Sequence, residues 1–313
     1  MKKSTVLQQL FQGPETFIGV AISLAIHAKI AERLGFKALC ISGANTSTHI
    51  LGLPDAGFIT LSELVQNTRY ICDASSLPVL VDCDTGFGNA VNVRRTVHDV
   101  IKAGAAGLFM EDQVAPKRCG FVKGKEVLPL EEALGKYRAA IDARNELDPD
   151  FVIMARCDAR GAVDGSVDEC VRRLTAYKRA GVDVLYAEAL QSMDEVRAVR
   201  AEVEGPFFVT TMAIRPRPTL KDLQDAGVSM GLVFLPHVGL TAMWDMLEEV
   251  RARGLDAWNE YTDRTQDHPL GSFRVFDLTG FPKVREWEQK YLSPETLAKY
   301  ERSIGAYEPR PGA

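Results

Sequence analysis

Asp82 and Asp84 stand two residues apart at the end of the apolar run Pro78–Asp82, and Glu111 directly follows the next run, Ala106–Met110. Three carboxylates brought to one place repel one another, and a hard divalent cation relieves that repulsion. Mg²⁺ takes oxygen ligands octahedrally and keeps several waters, so one or two direct carboxylates and a chelating substrate suffice. Mn²⁺ accepts the same oxygen set. Either aspartate alone also reads as a helix N-cap or a solvated strand end. Arg156 closes the run FVIMA. A guanidinium there binds a carboxylate in bidentate fashion or pairs with a buried acid, Glu188 or Asp158.

The stretch Pro116-Lys-Arg-Cys-Gly-Phe-Val-Lys-Gly-Lys125 is polar and punctuated by glycine. It is long for a strand-to-helix connection and suits a lid over a site. Lys117 and Arg118 precede Cys119. Basic neighbours lower a thiol's pKa, which makes Cys119 the candidate acid–base group with Lys117 and Arg118 as its partners. The other cysteines (40, 72, 83, 157 and 170) form no CxxC pair and read as core or helix-face residues. Scattered cysteines of this kind suggest reduced thiols in a cytoplasmic protein. His237 follows the last apolar run. A lone histidine there reads first as a structural residue, with substrate contact as its functional alternative. Histidines 27, 49, 98 and 268 show no metal-ligand spacing.

These residues recur at one kind of place, the end of an apolar run. Eight runs qualify as strands: Phe17–Ile22, Ala38–Ser42, Pro78–Asp82, Ala106–Met110, Phe151–Arg156, Asp183–Glu188, Pro206–Thr210 and Gly231–Leu235. They are unbroken rather than alternating, as in parallel strands covered on both faces. Amphipathic stretches fill the gaps. Val93, Val97, Val100 and Ile101 form one stripe, and Thr60-Leu-Ser-Glu63 and Ser166-Val-Asp-Glu169 fit capping boxes. The pairs Leu34-Gly35, Ala103-Gly104, Ala180-Gly181 and Ala226-Gly227 place a glycine where a helix must end. Eight strand–helix units predict a (β/α)₈ barrel, α/β in class, whose site lies at the C-terminal ends of the strands. No GxGxxG or Walker A sequence follows the first strand, which disfavours a doubly wound nucleotide-binding sheet. Ser42, Gly43, Glu188, Thr210 and His237 then join the candidate substrate contacts. Residues 1–255 read as the barrel. Residues 256–313, polar and rich in proline, read as a weakly helical extension (Pro282–Tyr291, Ser293–Ile304), packed on the barrel or exchanged with a neighbouring subunit.

Composition narrows the partners. The chain has 313 residues and a formal net charge of −5, with no dominant Lys/Arg cluster, which argues against nucleic acid. No apolar run approaches the roughly 20 residues that span a bilayer. The N-terminal MKKSTVLQQLFQGPETF lacks the apolar core of a signal peptide, and its LFQGP is read as native sequence.

Taken in order, Ser42-Gly43, Gly52-Leu-Pro-Asp55, Val81-Asp-Cys-Asp-Thr-Gly-Phe-Gly88, Met110-Glu-Asp-Gln113, Pro116-Lys-Arg-Cys-Gly120, Pro129-Leu-Glu-Glu132, Ala155-Arg156 and Glu188 resemble the isocitrate lyase / phosphoenolpyruvate mutase superfamily, from about residue 15 to 300. The resemblance implies a Mg²⁺-dependent barrel in a homotetramer of dimers that swap a C-terminal helix. It implies Asp82 as the direct metal ligand, with Asp84, Asp55 and Glu111 holding metal-bound waters. Ser42 and Gly43 would donate to an α-keto or α-hydroxy carboxylate, with Arg156 as the charged partner and Gly120 beside the substrate. The Lys-Arg-Cys-Gly loop is similar to that of the carbon–carbon lyases, the 2-methylisocitrate and alkylmalate lyases. The implied reaction is a retro-aldol cleavage in which Cys119 protonates the departing carbanion.

Four positions depart from the lyase pattern: Cys40 for Tyr, Phe121 for His, Cys157 for Thr and Thr210 for Asn. Phe121 and the two cysteines are expected to make the pocket less polar and suited to a smaller or more alkylated substrate. Two further readings are an oxaloacetate decarboxylase or hydrolase, which would use His237, and a non-catalytic dicarboxylate-binding barrel.

Overall fold

A computed structural model describes residues 1–309. Its first compact unit, Met1–Pro236, is a closed barrel of eight parallel strands in sequential order. The strands are β1 (Phe17–Ile22), β2 (Ala38–Ile41), β3 (Val79–Asp82), β4 (Gly107–Glu111), β5 (Val152–Cys157), β6 (Val184–Ala187), β7 (Phe207–Val209) and β8 (Met230–Phe234). Each falls on its expected apolar run. β1 closes the barrel against β8, with Val20 opposite Val233.

Apolar runs serve here because the strands are buried on both faces, β8 excepted, whose Val233 is exposed. Outward residues such as Val81, Leu108, Ile153 and Leu185 pack under the helices in the larger core. Inward residues, among them Leu80, Phe109, Met154, Tyr186 and Phe208, form a separate core inside the barrel. Leu7 and Phe11, from the helix Lys3–Gln12, belong to that inner core.

The helices begin and end where local chemistry demands. Thr60 and Glu63 make a reciprocal capping box on the helix Leu61–Ala74. Ser166 caps the helix Val167–Ala180 alone, because the Glu169 carboxylate turns instead to Arg172 and Arg173. Gly181 ends that helix at φ 102°, a conformation only glycine adopts without strain. The Val93 stripe is buried in the helix Ala90–Lys102.

The second unit begins at His237. It holds most of the helix Leu235–Arg253 and the helices Leu255–Thr265, Val275–Thr279, Phe281–Tyr291 and Pro294–Tyr300. The extension is thus more helical than its polar composition suggested, and the segment expected over Ser293–Ile304 shortens to Pro294–Tyr300. Among the described residues, no helix is long and apolar enough to cross a membrane.

Candidate active site

The C-terminal ends of β3, β4 and β5 bring Asp82, Glu111 and Arg156 to one mouth. Glu111 and Arg156 are in register on neighbouring strands. Asp82 is held by two backbone amides: Gly43 N–H donates to Oδ2 at 3.0 Å and Asp84 N–H to Oδ1 at 3.2 Å. The Gly43 amide, an expected substrate donor, is therefore already engaged. Asp84 has φ 45°, a left-handed conformation that costs a non-glycine residue energy and marks functional turns. Its carbonyl accepts from Glu111 N–H at 2.8 Å, which ties the turn to β4.

Lys117 reaches into this cluster. Its ammonium bonds the Asp55 carboxylate and stands 3.0 Å from Asp84 Oδ1. Arg156 makes a bidentate pair with Asp158, Nε to Oδ2 at 2.8 Å and Nη2 to Oδ1 at 3.0 Å. Its Nη1 lies 3.2 Å from Glu111 and its Nη2 4.0 Å from Glu188. The guanidinium is thus both structurally paired and held at the mouth, as the two alternatives for it anticipated.

Six carboxylates, Asp55, Asp82, Asp84, Glu111, Asp158 and Glu188, thus share two cations. Burial pushes the Asp82 and Glu111 carboxyls up, against the pull of Lys117 and Arg156. Burial, opposed by Lys117 but reinforced by Asp82 and Asp55, raises Asp84 to about 6. Burial alone would depress Lys117, but Glu111, Asp84, Asp82 and Asp55 outweigh it and hold the ammonium charged.

Asp84 Oδ1 and both Glu111 carboxylate oxygens are buried without an aligned hydrogen-bond partner. The nearby cations sit at ion-pair distance but off the hydrogen-bond directions. Buried carboxylate oxygens of this kind need a further partner. A hydrated divalent cation supplies one, so the residues present fit such a group. Among the described residues, no three His, Cys, Asp or Glu side chains are close enough to enclose an ion by themselves. The donor set therefore matches an ion bound largely through water.

A cavity of about 50 Å³ opens beside the cluster. Its polar wall includes Ser42, Asp55, Asp82, Arg156, Glu188 and Thr210, and Cys40, Phe109, Phe208, Leu232 and Phe234 form an apolar wall. Cys119, Gly120 and Phe121 of the lid loop line it as well. The lid loop thus forms one wall of the cavity.

The loop is pinned from below. Gln113 clamps the Arg118 backbone on both sides, at 2.9 Å each, and bonds Asp158 Oδ1 at 3.1 Å. Buried Lys125 donates to the Gly120 carbonyl. Gly120 is required by close approach: a Cβ there would meet Glu188 Oε1 at 2.6 Å and Arg156 Nη2 at 2.8 Å. Gly120→Ala should therefore hold the loop away from the site. A displacement of about 1 Å costs on the order of a hundredfold in kcat/KM, with the thermal midpoint little changed. Steady-state kinetics and a melt would check both.

Four expectations need correction. The Cys119 thiol is not acidified. Burial, with Asp55 beside it, pushes it up to about 11, and Lys117 does not reverse this. Arg118 is exposed, outside the cavity wall, and contributes its backbone rather than its charge. Cys157 faces outward into the core under the helices, next to Cys170, because the strand alternation that turns Arg156 inward turns Cys157 away. His237, expected directly after the eighth strand, sits instead in the first turn of the helix Leu235–Arg253, where it is exposed and belongs to the second unit.

Residues 7–252 match the family model described as phosphoenolpyruvate phosphomutase. The chain belongs to this family. It is 34% identical over 298 residues to 2,3-dimethylmalate lyase of Eubacterium barkeri, across 94% of this chain and 99% of that one. It is 36% identical over 308 residues to 2-methylisocitrate lyase of Aeropyrum pernix, across 95% and 94% of the two chains. The solved structure of phosphonopyruvate hydrolase in complex with oxalate and Mg²⁺ superposes with a TM-score of 0.81 at 30% identity, over 94% of this chain and all of that one.

Family membership leaves several site residues that the sequence reading missed. Tyr186 is buried at the cavity, its hydroxyl donating to Glu188 and its ring 5.3 Å from the Arg156 guanidinium carbon. Gln113 and Lys125 hold the lid, while Asp158, anticipated as a partner of Arg156, holds that guanidinium. For Tyr186 the available signal was strand alternation, which puts residues 186 and 188 of β6 on one face.

Proposed function

We propose that the chain cleaves the C2–C3 bond of a 2-hydroxy di- or tricarboxylate, an alkyl-substituted malate or 2-methylisocitrate, releasing an α-keto acid and a carboxylic acid. Carbon–carbon lyase is its reaction class, and its substrate is a small carboxylic acid. The observation that carries this reading is the placement of Cys119, on a loop lining the cavity, beside a buried cluster of carboxylates and Arg156.

Mg²⁺, with Mn²⁺ as substitute, is the ion these residues fit. Asp82 would hold it directly and Asp55, Asp84 and Glu111 through water. Bound there, the ion supplies Lewis-acid stabilisation of the oxygen anion, worth several kcal/mol. The chain's residues do the rest. Arg156 binds the carboxylate beside the reacting carbon, and Ser42, Gly120, Glu188 and Thr210 surround it. Closing the lid excludes water and brings Cys119 over C3. As the C2–C3 bond breaks, its electron pair passes into the C3 carboxylate as an aci-carboxylate, and Cys119 returns a proton to C3. A thiol raised by burial keeps that proton until the carbanion forms, which suits an acid better than a thiolate would.

The oxaloacetate decarboxylase or hydrolase reading makes no use of Cys119 and draws on an exposed His237, so no feature of the cavity favours it. We further propose a cytoplasmic homotetramer in which residues 256–313 pack on a neighbouring subunit, beside a barrel of residues 1–255. The apolar wall suits an alkyl substituent on C3.

The test is a keto-acid release assay over substituted malates, 2-methylisocitrate and oxaloacetate. Turnover of a 2-hydroxy di- or tricarboxylate is expected, with Cys119→Ser lowering kcat by about 10²–10⁴. Full activity in that variant, or consumption of oxaloacetate alone, would sink the assignment.

A further inference from the structure

The cleavage leaves one requirement unassigned: a group that takes the proton from the substrate's 2-hydroxyl. We infer that Tyr186 and Glu188 form that group, a two-residue proton relay on β6, an assignment that rests on the lyase reading. Tyr186 is one of the residues lining the cavity, and its hydroxyl donates to Glu188 Oε2. Thr210 Oγ1 also bonds that carboxylate, at 3.1 Å to Oε2 and 3.3 Å to Oε1, while the Arg156 guanidinium stays 4.0 Å away. Glu188 is thus aimed and fixed by two hydroxyls, without being locked in a direct charged hydrogen bond.

Thr210 also donates to Glu188, but its hydroxyl is shared between both carboxylate oxygens; the remaining candidates at the cavity lack an acceptor behind them. The Cys40 thiol faces only the Ile41 carbonyl, at 3.9 Å, and a main-chain carbonyl takes no proton. Ser42 Oγ accepts from the Asn45 amide. Asp82 is held by two backbone amides and Asp55 by Lys117. Cys119 must begin the step protonated.

The step balances. The 2-hydroxyl proton moves to Tyr186 Oη as the phenolic proton moves to Glu188 Oε2. The freed oxygen pair becomes the C2 carbonyl, the C2–C3 pair moves into the aci-carboxylate, and the Cys119 proton goes to C3. Glu188 ends protonated and Cys119 ends as thiolate. Proton exchange with solvent after the lid opens resets both. Tyr186 is held for this task by its ring, packed 4.6 Å from Phe208 and 5.7 Å from Phe109 between centroids.

The experiment compares Tyr186→Phe, Glu188→Gln and the double variant on the best substrate of the wild-type panel. Each single variant is expected to lower kcat by about 10²–10⁴ with KM within about threefold. The double variant should fall no further, because the two residues act as one unit. Oxalate binding in Mg²⁺, followed by calorimetry, should persist in Tyr186→Phe, which separates lost chemistry from a lost site. A Tyr186→Phe enzyme with more than a third of wild-type kcat, or a multiplicative loss in the double variant, would overturn the relay. Should Tyr186→Phe fail to fold, Glu188→Gln alone decides by the same kcat threshold. A wild-type chain inactive on every hydroxy acid refutes the lyase reading instead, and is distinguishable because no variant is then involved.

Discussion

Arg156→Met should lose activity and stability together. Arg156 is buried between Asp158, Glu111 and Glu188, and its removal leaves three carboxylates facing one another without their shared cation. Breaking a buried ion pair from one side costs about 3–5 kcal/mol, because the surviving charge keeps its desolvation penalty. Turnover should fall with it, because Arg156 is the guanidinium we propose for the substrate carboxylate: a loss of at least about a thousandfold in kcat/KM is expected, equivalent to about 4 kcal/mol. Denaturant melts and keto-acid release measure the two effects. A variant as stable as the wild type would show that these carboxylates are protonated or solvated in the folded chain. Lowering the pH of the Arg156→Met variant should restore part of the lost stability, since burial already favours the neutral form of Glu111.

Asp82→Asn separates the two effects. Burial already disfavours the charged form of Asp82, so a neutral amide removes a desolvation cost. The same amide must turn its NH₂ toward one of the two backbone N–H groups that now donate to the carboxylate. These terms oppose each other at about 1–2 kcal/mol each, so stability should stay close to that of the wild type. Activity should not survive. Loss of the proposed direct ligand should remove several kcal/mol of charge stabilisation, on the order of a thousandfold in kcat. Chelation of the wild type should abolish turnover, with Mg²⁺ restoring it. Saturating Mg²⁺ should not rescue Asp82→Asn. More than a tenth of wild-type activity in the Asp82→Asn variant would remove Asp82 from the metal set.

The barrel was legible because its signal is redundant. Eight unbroken apolar runs, each followed by an amphipathic stretch and a glycine stop, admit few packings other than closed parallel strands. Asp82, Glu111, Arg156, Glu188 and Thr210 were legible for a related reason. Strand ends in such a barrel share one face, so location followed from sequence position.

Environment was not legible. Reading Cys119 as acidified counted the adjacent Lys117 and Arg118, but the fold sends Lys117 to Asp55 and Asp84 and leaves Arg118 exposed, while burial acts on the thiol. Tyr186 escaped notice because its role depends on the pairing of its hydroxyl with Glu188, which no local pattern marks. Cys157 was misplaced by one step of strand alternation. The amino-acid sequence by itself determined the barrel, the family and which strand ends carry charge, because periodicity and motif order are local and survive without coordinates. Only the tertiary structure decided which charges neutralise which, how far the thiol is buried and which loop residues line the cavity. Those outcomes depend on distances of a few ångströms between segments remote in the chain, and electrostatic energies in a buried site change steeply over that range.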